Sequence, residues 1–250
     1  MNEHNPEKID WGLKPLHKKL LEALGDVHEF CNKHKIDYCL AYGSALGAER
    51  HHGFIPWDDD VDIYMTAESY KRFRYFFQLE GNHKKYYLQE IDSIDGMLTL
   101  AKLRINNTTY IESLYMNRDM HHGIYIDIFI LHKAPSSKIK RRIMCFANQY
   151  LVLKGLSNRN YSKKKSIIPL LILLKLFPEN FLRKQALKQL YKYDNNDSDT
   201  FFDNDLRTYS KSFYKQSIIF PTKIVEFEGI YLCVPGDNVR YLLWVYGDYM

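Results

Sequence analysis

Four aspartates fall within five residues in the stretch "GFIPWDDDVDIYM": Asp58, Asp59, Asp60 and Asp62. Carboxylates this close repel one another by several kcal/mol per pair at an intermediate dielectric, unless cations or hydrogen-bond donors compensate them. A solvated acidic turn after Pro56 is one way to relieve that repulsion, with Arg50, His51 and His52 nearby. A bound cation is the other. Strand alternation in "VDIYM" sets Asp60, Asp62 and Tyr64 on one face and Val61, Ile63 and Met65 on the other, so both acids address a common point where a hard divalent ion would be held. Asp58, Asp60 and Asp62 also have the one-three-five spacing of a calcium-binding loop. That reading fails, because the sixth position is Ile63 where glycine is needed and the twelfth is Ser69 where glutamate is needed.

A second strand, "GIYIDIFIL", carries a lone acid, Asp127, among isoleucines and aromatics. One reading is a buried carboxylate that accepts backbone bonds. The sharper one is a third carboxylate beside Asp60 and Asp62, the three converging on one or two Mg2+ ions, with Mn2+ as a substitute. Such a set serves phosphoryl transfer, where metal neutralises phosphate oxygens and orients the attacking group. Upstream, Gly43 and Ser44 in "AYGSALG" form a turn at which backbone N–H groups and a hydroxyl can approach a phosphate. Lys102 and Arg104 share a strand face and either meet the donor's phosphates or lie solvated on an edge strand. Arg50 either binds phosphate or pairs with the acidic run. Adjacent histidines (His51 and His52, His121 and His122) point to opposite sides of a strand, which makes neither pair a zinc chelate.

These residues need elements to hold them. Leu16, Leu20, Leu24, Val27 and Cys31 recur at helical spacing and predict a helix from Pro15 to Cys31. "IDYCLAYG" and "VDIYM" read as strands, with Thr66 capping the helix "AESYKRFRYFF". "YYLQEI", "MLTLAKLRI" and "TTYIES" read as three more, the last two joined as a hairpin through Asn106 and Asn107. From Ser136 the pattern turns helical, with Ile139, Ile143, Phe146, Tyr150 and Leu153 in register. A boundary near Pro135 therefore separates residues 1–135 from 136–250, the latter ending in a hairpin "KIVEFEGIYLCV" and a helix between Asp237 and Gly247. The apolar run at 166–177 lies between basic flanks and reads as a core helix, or as one that dips into a membrane surface.

Hydrophobic residues at 46% and charged residues at 26% describe a globular chain of 250 residues. Lys plus Arg exceed Asp plus Glu by 35 to 30, a mild excess that suits an anionic substrate. It is not organised as a basic stripe interleaved with aromatics, so no nucleic-acid partner is expected. The four cysteines form no C-x-x-C pair, which favours a reducing compartment. With a polar N-terminus and no spanning apolar run, a cytoplasmic location is expected, with the inner membrane face as an alternative.

Taken together, "YGSALGAERHHGFIPWDDDVDIYM" resembles the signature of the LicD family, within the superfamily related to DNA polymerase beta nucleotidyltransferases. "AKLRINNTTYIE", "HHGIYIDIF" and "FEGIYLCVPGDNVRYLLWVYGDYM" extend the resemblance over most of the chain from about residue 10, most weakly at 136–210. "DIFILHK" departs from it where many relatives carry a proline and a further acid. The resemblance implies an α/β (α+β) fold: a nucleotidyltransferase-type mixed sheet with flanking helices in residues 1–135, and a mainly helical C-terminal subdomain in 136–250 whose terminal hairpin and helix complete the core. It implies Mg-dependent transfer of a phosphate-linked head group, phosphocholine from CDP-choline foremost, to a hydroxyl of a cell-surface glycan or its lipid-linked precursor, with release of CMP. Asp60, Asp62 and Asp127 match the metal-binding and catalytic acids, and Gly43 and Ser44 the phosphate-side turn; Arg50 belongs to the same motif. Two other readings compete: a nucleotidyltransferase acting on RNA or a small molecule, and a non-catalytic binding module on the same fold.

Overall fold

The computed structural model describes residues 11–91, 100–112, 116, 119–158, 168–175, 179–205 and 209–250. Helix α1 (Lys14–Lys33) opens with a proline in its first turn, where a missing N–H costs nothing, and buries Leu20, Leu24, Val27 and Cys31. Strand β1 (Tyr38–Leu40) leads into α2 (Tyr42–Arg50), a helix that contains both glycines of "AYGSALG". Gly47 is needed there: a Cβ would stand 2.4 Å from the Gly53 carbonyl oxygen, so only a bare backbone lets α2 lie against that loop. Strand β2 (Asp62–Thr66) passes directly into α3 (Ala67–Glu80), and the Thr66 hydroxyl accepts from the Ser69 N–H at 3.0 Å as a helix cap.

Strands β3 (Tyr86–Gln89), β4 (Ala101–Ile105) and β5 (Tyr125–Lys133) complete a mixed α+β sheet in the order β1-β2-β5-β4-β3. Among the described residues, only β2 and β5 run parallel; the other neighbours are antiparallel. The central strand β5 is buried on both faces, as a strand covered by helices and flanked by neighbours must be. Residues 97–99 of the expected "MLTLAKLRI" strand lie outside the described residues. The expected hairpin through Asn106 and Asn107 does not form. The chain turns at Asn107, which adopts φ 58, but residues 108–112 run on without strand pairing, and β4 pairs with β3 and β5 instead.

Helices α4 (Lys138–Asn158), α5 (Ile168–Lys175) and α6 (Glu179–Tyr191) follow, and α4 packs against both others. Their inner faces gather Met144, Leu151, Ala186 and Leu190 with Phe202 and Phe213 into a core of their own. The expected α4 stripe faces outward: Ile139 is 70% exposed and Phe146 68%, while Met144, Asn148 and Leu151 point inward. The helix is apolar around most of its circumference, so periodicity offered two stripes and packing chose the other. The described side chains of α5 are exposed as well, which removes the core-helix reading for Ile168, Leu170, Ile172 and Leu173; residues 166, 167, 176 and 177 lie outside the described residues.

The chain then returns to the sheet. Strand β6 (Thr200–Phe202) pairs with the end of β5 and with β7 (Phe213–Lys215), followed by a single turn, α7 (Gln216–Ile219). A separate hairpin of β8 (Lys223–Phe227) and β9 (Ile230–Val234) and helix α8 (Asn238–Tyr246), capped by Asp237, contribute Phe227, Leu232, Tyr241 and Leu242 to the main core.

Candidate active site

The head of β2 is where the sheet, α2 and the acidic run meet. The Asp62 N–H donates to Ser44 Oγ at 2.9 Å, and its carbonyl accepts from the Ala41 N–H at 2.9 Å. One residue earlier, the Val61 carbonyl accepts from the Asp127 N–H at 2.8 Å. These bonds lock the backbone at Val61 and Asp62, so the direction of the Asp62 side chain follows from the fold. Asp60 stands two residues before the strand rather than in it.

In register, Asp62 on β2 lies opposite Asp127 on β5, Asp127 opposite Lys102 on β4, and Lys102 opposite Gln89 on β3. Directly opposed residues share a sheet face, which makes one polar row across four strands. At its acidic end, one oxygen each of Asp60, Asp62 and Asp127 lie within 4.8 Å of one another. Asp58, Asp59 and Asp60 form a second, more exposed set of the same span. Among the described residues no histidine joins either set.

Burial, then the charges of Asp58 and Asp59, push the Asp60 carboxyl up to about 7, with Lys102 offsetting part of the rise. Burial followed by the charges of Asp60 and Asp127 holds Asp62 well above the ordinary carboxylate range. Asp127 is raised to about 6 by burial, against the pull of Lys102. These acids cannot all ionise together without added positive charge. An all-oxygen donor set under that electrostatic load fits a hard divalent cation such as Mg2+ or Mn2+.

Lys102 and Arg104 are neither solvated nor on an edge, because β4 lies between β3 and β5 and both side chains are buried. The Lys102 ammonium sits 2.7 Å from Asp127, 3.3 Å from Glu112, and 3.4 Å from the centre of the Tyr125 ring. Arg104, at 0% exposure, donates to Gln89 Oε1 at 2.7 Å, to the Gly123 carbonyl at 3.1 Å and to Glu112 at 3.2 Å. Its guanidinium thus organises the residues around Lys102. Arg50 is exposed at the far end of α2 from Ser44, six residues or about 9 Å of helix rise away, and joins none of the ion pairs among the described residues.

Gly43 lies in the first turn of α2, where a Cβ would come 2.5 Å from an oxygen of Asp58; the missing side chain leaves room for that carboxylate beside the helix N-terminus. The Ser44 hydroxyl, already accepting from Asp62, keeps its own proton to donate.

Several contributors carried no reading in the sequence. Glu112 answers both buried cations, and Tyr110 donates to Asp59. Glu112 had a signal, since a buried basic pair requires an acid and this one lies close in sequence. Asp203 had none. It is fully buried and accepts from the hydroxyls of Tyr42 at 2.7 Å, Tyr64, and Tyr214 at 3.3 Å, while the Tyr241 hydroxyl donates to that of Tyr64 at 3.2 Å. This network fastens β7 and α8 to the residue two places beyond Asp62.

A profile described as "LicD/FKTN/FKRP, nucleotidyltransferase domain" matches residues 35–154, which span α2, the acidic run and the strands that carry Lys102 and Asp127. The chain is 30% identical over 247 residues to the lipopolysaccharide cholinephosphotransferase LicD of Haemophilus influenzae, covering 92% of this chain and 88% of that protein. It is 26% identical over 117 residues to an uncharacterised protein of Rickettsia prowazekii, 46% of this chain and 40% of that one. The acids, the strands that hold them and an alignment running nearly end to end lead to one conclusion: this chain belongs to the LicD family and is a LicD-type phosphotransferase.

Proposed function

We propose that the protein transfers phosphocholine from CDP-choline to a hydroxyl of a cell-surface glycan or its lipid-linked precursor, releases CMP, and depends on Mg2+ or Mn2+. The observation that carries this reading is the convergence of Asp60, Asp62 and Asp127 on one point at the end of the sheet. A divalent cation held by these acids supplies charge neutralisation for the donor's diphosphate.

The chain's own residues do the rest. Asp62 presents its carboxylate from a backbone pinned by Ser44 and Ala41, with Val61 before it held by Asp127, and Asp60 adds its own from the loop just ahead, so little reorganisation of Asp62 is left for the reaction itself. Asp127 orients the acceptor hydroxyl and takes its proton, and Lys102 keeps that carboxylate ionisable near neutral pH. Gly43, Ser44 and the first turn of α2 offer donors to a phosphate oxygen. Exposed Arg50 is available to the donor's outer phosphate or to the acceptor. The work is done on the cytoplasmic side, where nucleotide-linked donors are made.

Purified protein given CDP-choline, Mg2+ and a glycan acceptor is expected to release CMP, and Asp60→Ala or Asp62→Ala to abolish that release. Undiminished CMP from both variants would refute the assignment. A screen of CDP-linked donors carrying choline, ethanolamine or a polyol, read by mass spectrometry of CMP, identifies the head group.

A further inference from the structure

Outside the acid site, the largest departure from an ordinary protein surface is the helical lobe. Ile139, Ile143 and Phe146 form an exposed apolar ridge along α4, and α5, which packs beside it, leaves Ile168, Leu170, Ile172 and Leu173 exposed. Soluble surfaces scatter single apolar residues but rarely align so many on adjoining helices.

The charge of the same region is one-sided. Residues 128–178 contain eleven Lys or Arg and no Asp or Glu, while the whole chain has 35 against 30, which leaves the remainder net acidic. Lys138, Lys140 and Arg142 flank the α4 ridge and are exposed. A ridge of aliphatic and aromatic side chains set among basic ones is the pattern of a helix lying in a headgroup layer. A second copy of this chain is a poor occupant, because a two-fold pairing would face this positive surface with itself. Helix α5, at eight residues, is about 12 Å long, and no helix among the described residues is long and apolar enough to cross a membrane, so contact would be with the surface.

A cavity of about 830 Å³ adjoins the ridge. Phe146, Val152, Leu153 and Leu156 of α4 line one side, and Asp205 and Tyr209 another. The Asp205 N–H donates to Asp203 at 3.0 Å, and Asp203 in turn accepts from Tyr64, two residues beyond Asp62. The cavity therefore runs from the exposed apolar ridge to the edge of the Asp203 network.

We propose that the outer faces of α4 and α5 dock on an anionic lipid surface, with the cavity beside α4 directed at an acceptor held in that surface. The docking face shares no residue with the acid site, so its test is independent of the transfer chemistry. Flotation is run with the full chain and no donor or acceptor, on phosphatidylcholine vesicles with and without phosphatidylglycerol. The protein is expected to float with the anionic vesicles only and to be released at high salt. Ile139→Glu/Ile172→Glu and Lys138→Glu/Lys140→Glu are each expected to cut flotation at least about tenfold. Because these side chains are exposed, melting temperature and CMP release on a soluble acceptor should stay as in the wild type. Failure to float with anionic vesicles, equal flotation with neutral ones, variants that float undiminished, or a dimer in sedimentation that the Ile139→Glu/Ile172→Glu variant splits would each overturn the proposal.

Discussion

The Lys102 ammonium lies 2.7 Å from the Asp127 carboxylate, with both residues buried on adjacent strands. This ion pair divides the three converging acids into two kinds. Asp127 has a permanent counter-charge built into the sheet, and its pKa stays near 6 despite full burial. Asp62 has no such partner among the described ion pairs, and burial with the charges of Asp60 and Asp127 holds it well above the ordinary carboxylate range. A carboxylate that must hold or accept a proton near neutrality is served by the first environment, and one that must meet a cation by the second.

Removing the ammonium should show this in a pH profile. In Lys102→Met the Asp127 carboxyl loses the interaction that lowers it, so its pKa should rise above about 6. The acidic limb of kcat against pH then moves to higher pH, and activity lost at about pH 7 partly returns at about pH 8.5. A limb that stays in place while kcat falls uniformly would mean that Lys102 only supports the strand.

Stability should depend on pH in the same terms. The folded-state pKa values of Asp60 and Asp127, about 7 and about 6, lie above the ordinary 3.8, so the fold favours their protonated forms. That contribution is complete below about pH 4 and is lost as pH rises through 6 to 7. In EDTA the melting temperature should fall by several degrees between about pH 4.5 and 8, and saturating Mg2+ should shrink or reverse the fall by binding the ionised folded form. Asp60→Asn, inactive but relieved of repulsion, should melt above the wild type in EDTA at about pH 8. A flat wild-type curve would show that the acids are solvated.

For Arg104 the expected phenotype is loss of stability. Arg104→Met leaves Glu112 and Gln89 facing a buried apolar chain and should cost about 3 kcal/mol in urea denaturation. Arg104→Lys should not restore it, because one ammonium cannot reach three acceptors set out for a planar fork. If Arg104→Met unfolds with the wild-type midpoint and only donor KM rises, the guanidinium serves the donor directly.

Asp203 tests whether the C-terminal elements are needed to hold the acids. Asp203→Ala deprives the hydroxyls of Tyr42, Tyr64 and Tyr214 of their shared acceptor, and should cost about 2–3 kcal/mol, or roughly 5–10 °C in a thermal melt. CMP release below the melt should also drop, since Tyr64 lies two residues from Asp62. Full activity in a destabilised variant would confine the network to stability.

Much of this protein could be read from local pattern. The sequence marked "DIYM" as a strand headed by Asp62, Thr66 announced the start of α3, and the spacing of Leu20, Leu24, Val27 and Cys31 gave the buried face of α1, whereas Asp60 reaches Asp62 from the loop ahead of the strand, where alternation does not apply. Such features depend on the backbone geometry of one short segment, which its own residues dictate. Other features depend on what arrives from elsewhere. Lys102 and Arg104 looked the same on paper whether solvated or buried; the difference is Glu112, delivered by an irregular segment that reads like a strand. Two apolar stripes competed on α4, and Phe202 and Phe213, returning from beyond α6, decided which one turned inward. Asp203 meets Tyr42 and Tyr64 across 161 and 139 residues, a separation over which no periodicity carries information. Local sequence sets the direction of a side chain, and only the closed fold supplies the partner that determines its charge and burial.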